Sequence, residues 1–240
     1  MAEGRPLTVS RRWCRALLRR EAKKFYYATR LLPRRKREAV EAIYGVFRTA
    51  DDIADEPGPS IEARLAGLAA MSATVARIRD PGARSDAPWF PAARDAFARF
   101  PIATRDALRL LAACRDDASG VVPQTMEELE TYCAAVAGTV GRCSMAILGA
   151  NDDDSLRRAE RLGIALQLTN VLRDVDRDRA IGRSYLPPDV PIDDIVARAR
   201  AYYKEGDALA RRLPDLGSRL AVSLAARLYE RNLGRIRGSR

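Results

Sequence analysis

The 240-residue chain contains no histidine. That absence excludes Ser-His-Asp and Cys-His catalysis, histidine-ligated zinc and any imidazole acid or base. Proton transfer is left to Asp, Glu, Tyr, Lys, Cys or the substrate itself. Cysteine is scarce: Cys14, Cys114, Cys133 and Cys143 form no C-x-x-C pair and follow no secretory signal. They are expected to be buried, reduced thiols in a cytoplasmic protein. No apolar run approaches the roughly 20 residues needed to span a bilayer. Runs of β-branched residues are few, while Ala, Arg, Leu and Asp dominate, which favours helix over strand. No helix-turn-helix, zinc-finger or RNA-binding signature is visible, and the arginines are interleaved with acids, so nucleic acid is not an expected partner.

The residues present are 47% hydrophobic, a globular composition rather than a disordered one. The net charge is +10, from 42 Lys and Arg against 32 Asp and Glu. Such an excess suits phosphate-bearing partners or an anionic membrane surface. Apolar spacing reads as helices over about 10–32, 34–55, 61–79, 91–99, 102–117, 126–148, 155–178, 192–213 and 215–236. Proline and glycine punctuate them at Pro33, Pro57-Gly58-Pro59, Pro81-Gly82 and Pro187-Pro188. Thr125 with Glu128 is a capping box for the helix starting at 126. Asn151-Asp152-Asp153-Asp154 reads as a polar loop and N-cap rather than a metal site. The expectation is one all-α domain over 1–240, with residues 1–9 as a flexible N-terminus.

Two acidic clusters carry the chemistry: Asp51-Asp52-Ile53-Ala54-Asp55 and Asp174-Val175-Asp176-Arg177-Asp178. Each places aspartates four residues apart, on one helix face with Cβ atoms about 5–6 Å apart. Carboxylates that close repel unless a cation lies between them. Two such pairs facing each other suit Mg²⁺, which takes one or two carboxylates plus phosphate oxygens. In the first helix Tyr44, Arg48, Asp51 and Asp55 share a stripe. In the second, Gln167, Asn170, Asp174 and Asp178 do, and the two amides are suited to phosphate oxygens or metal-bound water.

These segments resemble the squalene/phytoene synthase family. The matching motifs are Phe25-Tyr26-Tyr27-Ala28 with Leu31-Leu32-Pro33, and Ile43-Tyr44 with Phe47-Arg48-Thr49-Ala50-Asp51-Asp52-Ile53-Ala54-Asp55. Further on come Tyr132-Cys133 with Val136-Ala137-Gly138-Thr139-Val140-Gly141, and Gln167 through Asp178 with Gly182-Arg183-Ser184-Tyr185-Leu186-Pro187. The resemblance implies an isoprenoid-synthase helical bundle around a central apolar channel. It implies a prenyltransferase that condenses two prenyl diphosphates head to head to a presqualene-type cyclopropyl diphosphate or a squalene-type product. Farnesyl diphosphate is favoured, and geranylgeranyl diphosphate, giving phytoene, is the alternative. A non-catalytic relative acting in protein assembly is the reading from another class.

On this resemblance Asp51, Asp55, Asp174 and Asp178 would hold two or three Mg²⁺ with diphosphate. Tyr44, Arg48, Gln167, Asn170, Arg173 and Arg183 would bind substrate, and Tyr132 matches the family's active-site tyrosine. NADPH is not expected. The location would be cytoplasmic, with possible peripheral membrane contact. Three departures stand out. The central region reads Ala112-Ala113-Cys114-Arg115-Asp116-Asp117, which keeps only the acid of the family's usual Gly-Met…Asp helix. Lys24 occupies the usual serine position before the first aromatic residue. The segment after Tyr185-Leu186-Pro187 is short, and the chain closes at Gly238-Ser239-Arg240 ahead of the family's closing segment. Part of the channel wall or lid is therefore expected to be absent or rebuilt.

Overall fold

A computed structural model describes residues 6–180 and 184–236. The helices are α1 (Leu7–Glu21), α2 (Lys23–Thr29), α3 (Arg34–Asp55), α4 (Ile61–Ala76), α5 (Phe90–Arg99) and α6 (Thr104–Ala118). They continue with α7 (Met126–Cys133), a π-helical turn (Ala134–Gly138), α8 (Thr139–Leu148), α9 (Asp153–Ala180), α10 (Ile192–Arg212) and α11 (Leu216–Ile236). No strand occurs among the described residues.

The central helix α3 shows how sequence sets position. Ala39, Val40, Ile43, Val46, Phe47, Ala50 and Ala54 are buried along it at helical spacing. Each large member contributes about 1.5–3 kcal/mol by burial. Pro33 opens the helix with its fixed φ of −51°. Beyond Asp55, Gly58 at φ +109° turns the chain away. Charged pairs tie α3 to its neighbours. Arg11 of α1 lies 3.2 Å from Glu38 and 2.9 Å from Asp95 of α5, joining three helices.

Several sequence expectations need correction. The helical stretch over 10–32 is two helices, because Ala22 leaves the helix at φ −133°, ψ 63°. The break redirects α2 against α11 and brings Phe25 to 6.2 Å from Tyr44. The first helix also starts earlier than expected, at Leu7. Pro6 accepts from the amides of Val9 and Ser10, so residues 7–9 are ordered as helix. The capping box forms with a shift. Thr125 Oγ1 accepts from Glu128 N at 3.1 Å, but Glu128 reaches back to the amide of Gln124 at 2.6 Å, one residue earlier than the motif predicts. Asp152 does cap α9, accepting from the Ser155 amide at 3.0 Å.

The stretch Met126–Leu148 is not one regular α-helix. It contains the π turn, and its 23 residues are long and apolar enough to cross a membrane by length and composition, which sequence reading had excluded. Half of its apolar window is buried inside the fold, where it packs on α6 and α9. Its contact with α9 is backbone against backbone. A Cβ at Gly163 would lie 2.4 Å from the Ala137 carbonyl oxygen, and one at Gly141 would lie 2.4 Å from that of Ala159. A π turn adds a residue to the helical repeat.

Candidate active site

A cavity of about 780 Å³ opens between α3, the α7–α8 helix, α9 and α11. That is toward the upper end of the range of about 300–1,000 Å³ for small-molecule sites. Its lining is graded. The early turns of α3 give Val40, Tyr44 and Phe47, and those of α9 give Leu162, Gly163 and Leu166. The last turns give Arg48, Asp51 and Asp55 on α3, and Arg173, Asp174, Arg177 and Asp178 on α9. One end is charged and the other is apolar. From Phe47 back to Val40 the helix rises about 10 Å, the depth of the apolar part along α3.

The structure brings together Tyr44, Arg48, Asp51, Asp55, Tyr132, Gln167, Asn170, Arg173, Asp174 and Asp178 on this one cavity. Arg183 lies outside the described residues. Arg48 contacts Asp51 at 3.1 Å and Asp52 at 2.6 Å. Arg173 donates through Nε and Nη2 to both oxygens of Asp174, at 2.8 and 2.5 Å. Both aspartate pairs are thus partly covered by an arginine from the same helix. These arginines can turn from carboxylate to phosphate when an anion enters, since both present the same fork geometry.

The electrostatics favour a cation. Burial and the charge of Asp55 push the Asp51 carboxyl up to about 6, with Asp52 and Asp117 adding to this and Arg48 opposing it. The Asp51 side chain is 48% accessible, so it stays open to the cavity. Asn170 Oδ1 is buried without a hydrogen-bond partner, although Asn170 Nδ2 donates to Gln167 at 3.4 Å. It is an oxygen acceptor one turn before Asp174. Among the described residues no three Asp, Glu, Cys or His side chains converge as a ready-made cage. The donors the cavity does offer are hard carboxylate and amide oxygens, the ligand type Mg²⁺ takes alongside water and phosphate oxygens.

Tyr132 projects from the last turn of α7, just before the π turn. Its hydroxyl donates to Asp117 of α6 at 3.1 Å, and its ring stacks on Tyr185 at 5.1 Å and 18°. Burial, then the charge of Asp117, push this phenol far above its usual range, so it stays protonated. Ala137, Gly141 and Gly163 lie both at the close helix crossing and on the cavity wall. Small residues there serve packing and lining at once.

Three groups join the site beyond the expected set. Asp117 belongs to the acid pair that remains of the family's central motif, but nothing in the sequence places it against Tyr132. Tyr185 belongs to a matched motif but follows a helix end, where direction is unreadable. Tyr229 ends a lining stripe of Ala221, Val222, Ala225 and Ala226 on α11, and this small-residue periodicity was the available signal. That stripe also supplies a cavity wall from the region expected to be reduced.

The squalene/phytoene synthase family model matches residues 18–191. A phytoene synthase from Mycobacterium bovis is 35% identical, with 93% of this chain and 80% of that protein covered. A presqualene diphosphate synthase from Zymomonas mobilis is 32% identical over 85% of this chain and 77% of its own length. Among solved structures, a ligand-bound dehydrosqualene synthase superposes with a TM-score of 0.87 at 28% identity, covering 97% of this chain and 87% of the other. Squalene synthase HpnC from Alicyclobacillus acidocaldarius gives 0.83 at 30% identity, covering 97% and 94%. The chain belongs to the squalene/phytoene synthase family of prenyltransferase-type enzymes.

Proposed function

We infer that this protein condenses two prenyl diphosphates head to head, with farnesyl diphosphate as the favoured substrate. The observation that carries the reading is one cavity with two aspartate pairs and their arginines at one end and an apolar interior at the other. Asp51, Asp55, Asp174 and Asp178 are the candidate magnesium ligands, with Asn170 Oδ1 beside them. Magnesium bound there with diphosphate would neutralise the leaving group and favour ionisation. Arg48 and Arg173 hold and orient the diphosphates, releasing their present carboxylate partners to do so, and Arg177 adds positive charge beside them. Tyr44, Gln167 and Arg183 complete the proposed substrate contacts.

The reaction is balanced as follows. The C–O bond of one allylic diphosphate breaks and its electron pair leaves with diphosphate. The double bond of the second substrate supplies the electrons of the new C–C bond to the allylic cation. Loss of a proton from carbon closes a cyclopropane, and the released diphosphate accepts that proton. Val136, Val140, Leu162 and Leu166 keep water from the cation. The Tyr132 phenol stays neutral and faces the cation with its ring, while Asp117 fixes its hydroxyl. The Glu21-Ala22 and Phe25-Tyr26-Tyr27 opening favours a presqualene-type product, as do the squalene-type solved structures. A second reading, geranylgeranyl diphosphate to phytoene, is supported by the Mycobacterium bovis relative. A non-catalytic role is disfavoured by two intact aspartate pairs on one cavity. The apolar product makes release at a membrane surface part of this reading.

Mass spectrometry of products from paired incubations with each substrate and Mg²⁺ tests the proposal. A 30-carbon cyclopropyl diphosphate or hydrocarbon is expected from farnesyl diphosphate. A 40-carbon product alone would select the second reading, and no coupled product from either would refute both.

A further inference from the structure

The face formed by α2 and the start of α11 keeps four large apolar side chains exposed: Tyr27 (64%), Leu31 (41%), Leu216 (68%) and Leu220 (48%). A single exposed leucine is ordinary, but these are neighbours. Helix α2 packs on α11, and Gly217 lies so close to Leu31 that a Cβ there would come within 2.3 Å of the Leu31 carbonyl oxygen. Leu216 and Leu220 are one turn apart on one face. Beside this patch, α1 and α2 form a basic groove of about 460 Å³ lined by Arg12, Arg15, Arg19, Arg20, Lys23 and Tyr26. Glu41 and Glu21 partner Arg15 and Arg20, while Arg12, Arg19 and Lys23 are exposed. Tyr26 joins groove to patch, since its ring meets that of Tyr27 edge-on at 5.6 Å. Exposed Arg30 and Arg35 add positive charge next to Leu31.

Two further observations choose the occupant. Arg20 and Lys23 line both the groove and the large cavity, and Ala221, Val222, Ala225 and Ala226 of α11 line the cavity from inside. The patch is therefore the outer side of the cavity wall. A second copy of this chain is a poor match, because each carries +10 and the patch is rimmed by arginine. Apolar side chains with phenol and basic groups around them match the interfacial layer of an anionic bilayer.

We propose that this face docks the protein on an anionic lipid bilayer, with Tyr27, Leu31, Leu216 and Leu220 entering the interfacial layer and Arg12, Arg19 and Lys23 meeting lipid phosphates. It deepens the proposed function by naming the surface on which product is released, and rests on that function for nothing else.

The test is co-sedimentation, without substrate, with vesicles of phosphatidylcholine alone or mixed with phosphatidylglycerol. Binding to the mixed vesicles is expected, and it should weaken as salt rises. Each basic side chain contributes about fivefold to partition, so Arg12→Ala with Arg19→Ala should lower it about tenfold or more. Leu216→Ser with Leu220→Ser should lower it about tenfold or more as well. Ile61→Ser, an equally exposed site on α4, which packs on α3 and α6, should leave it unchanged. Circular dichroism of each variant should match wild type, and turnover in detergent should be kept. Absence of wild-type binding, binding indifferent to lipid charge, or double variants that bind like wild type would overturn the proposal. So would a loss of self-association by the leucine pair with vesicle binding intact. Failure of the sedimentation test leaves the condensation reading standing, because no substrate enters it.

Discussion

At the scale of single residues the account rests on what each side chain touches. Tyr132 separates two contributions: its ring stacks on Tyr185 and its hydroxyl bonds Asp117. Tyr132→Phe keeps the ring and removes the hydroxyl. It should lower kcat by about tenfold with KM little changed, because the ring facing the cation loses the hydrogen bond that fixes it. An unchanged kcat would remove the hydroxyl from the mechanism. Asp51→Ala and Asp174→Ala should each lower turnover by about 10²–10³-fold while the helical circular dichroism signal persists. Most activity surviving Asp51→Ala would show the metal assignment to be wrong. These aspartates were legible in sequence because a four-residue spacing on a helix fixes a shared face. The pairing of Asp117 with Tyr132 was not, because only the packing of α6 on the α7–α8 helix brings them together.

At the scale of elements, two contacts decide whether the cavity keeps its walls. The first is the crossing of the α7–α8 helix over α9. Gly163→Ala would put a methyl group 2.4 Å from the Ala137 carbonyl oxygen. A cost of about 1–3 kcal/mol follows from forced backbone movement. Thermal unfolding should show it as a Tm drop of about 2–4 °C per kcal/mol. No drop would mean that the crossing relaxes freely. The second contact holds α11. Lys36 Nζ donates to Asp215 Oδ2 at 2.6 Å and to the Leu148 carbonyl at 2.6 Å, while Asp215 caps the Ser218 amide at 2.8 Å. Partial burial opposes ionisation of Asp215, but Lys36 and Ser218 outweigh it and hold its carboxyl down to about 2, below the ordinary 3.8. A depressed folded-state value means that this stabilisation is fully present above about pH 4 and is lost as pH falls toward 2. Asp215→Asn should therefore lower Tm at pH 6, and the gap to wild type should close near pH 2. A gap that persists there would contradict the assignment. Most helix limits were readable from periodicity and proline, α3 among them. The break at Ala22 and the π turn were not, because both answer to neighbouring helices rather than to local propensity.

At the scale of the whole molecule, the helical class followed from composition and from the shortage of β-branched runs. The cavity did not, since its lining is gathered from many helices and each contributes only a stripe. The +10 charge pointed to anionic partners without saying where. In the structure two concentrations of basic residues stand out, one at the charged end of the cavity and one in the groove on α1 and α2. The central claim is that the aspartate pairs handle diphosphate for a coupling reaction. It is tested most directly by measuring diphosphate released per farnesyl diphosphate consumed, with Mg²⁺ and with chelator. The account predicts one diphosphate for every two substrates if the cyclopropyl diphosphate is the product, two if the reaction runs on to hydrocarbon, and none with chelator. Release that continues undiminished with chelator, or no release with Mg²⁺ from either farnesyl or geranylgeranyl diphosphate, would contradict it.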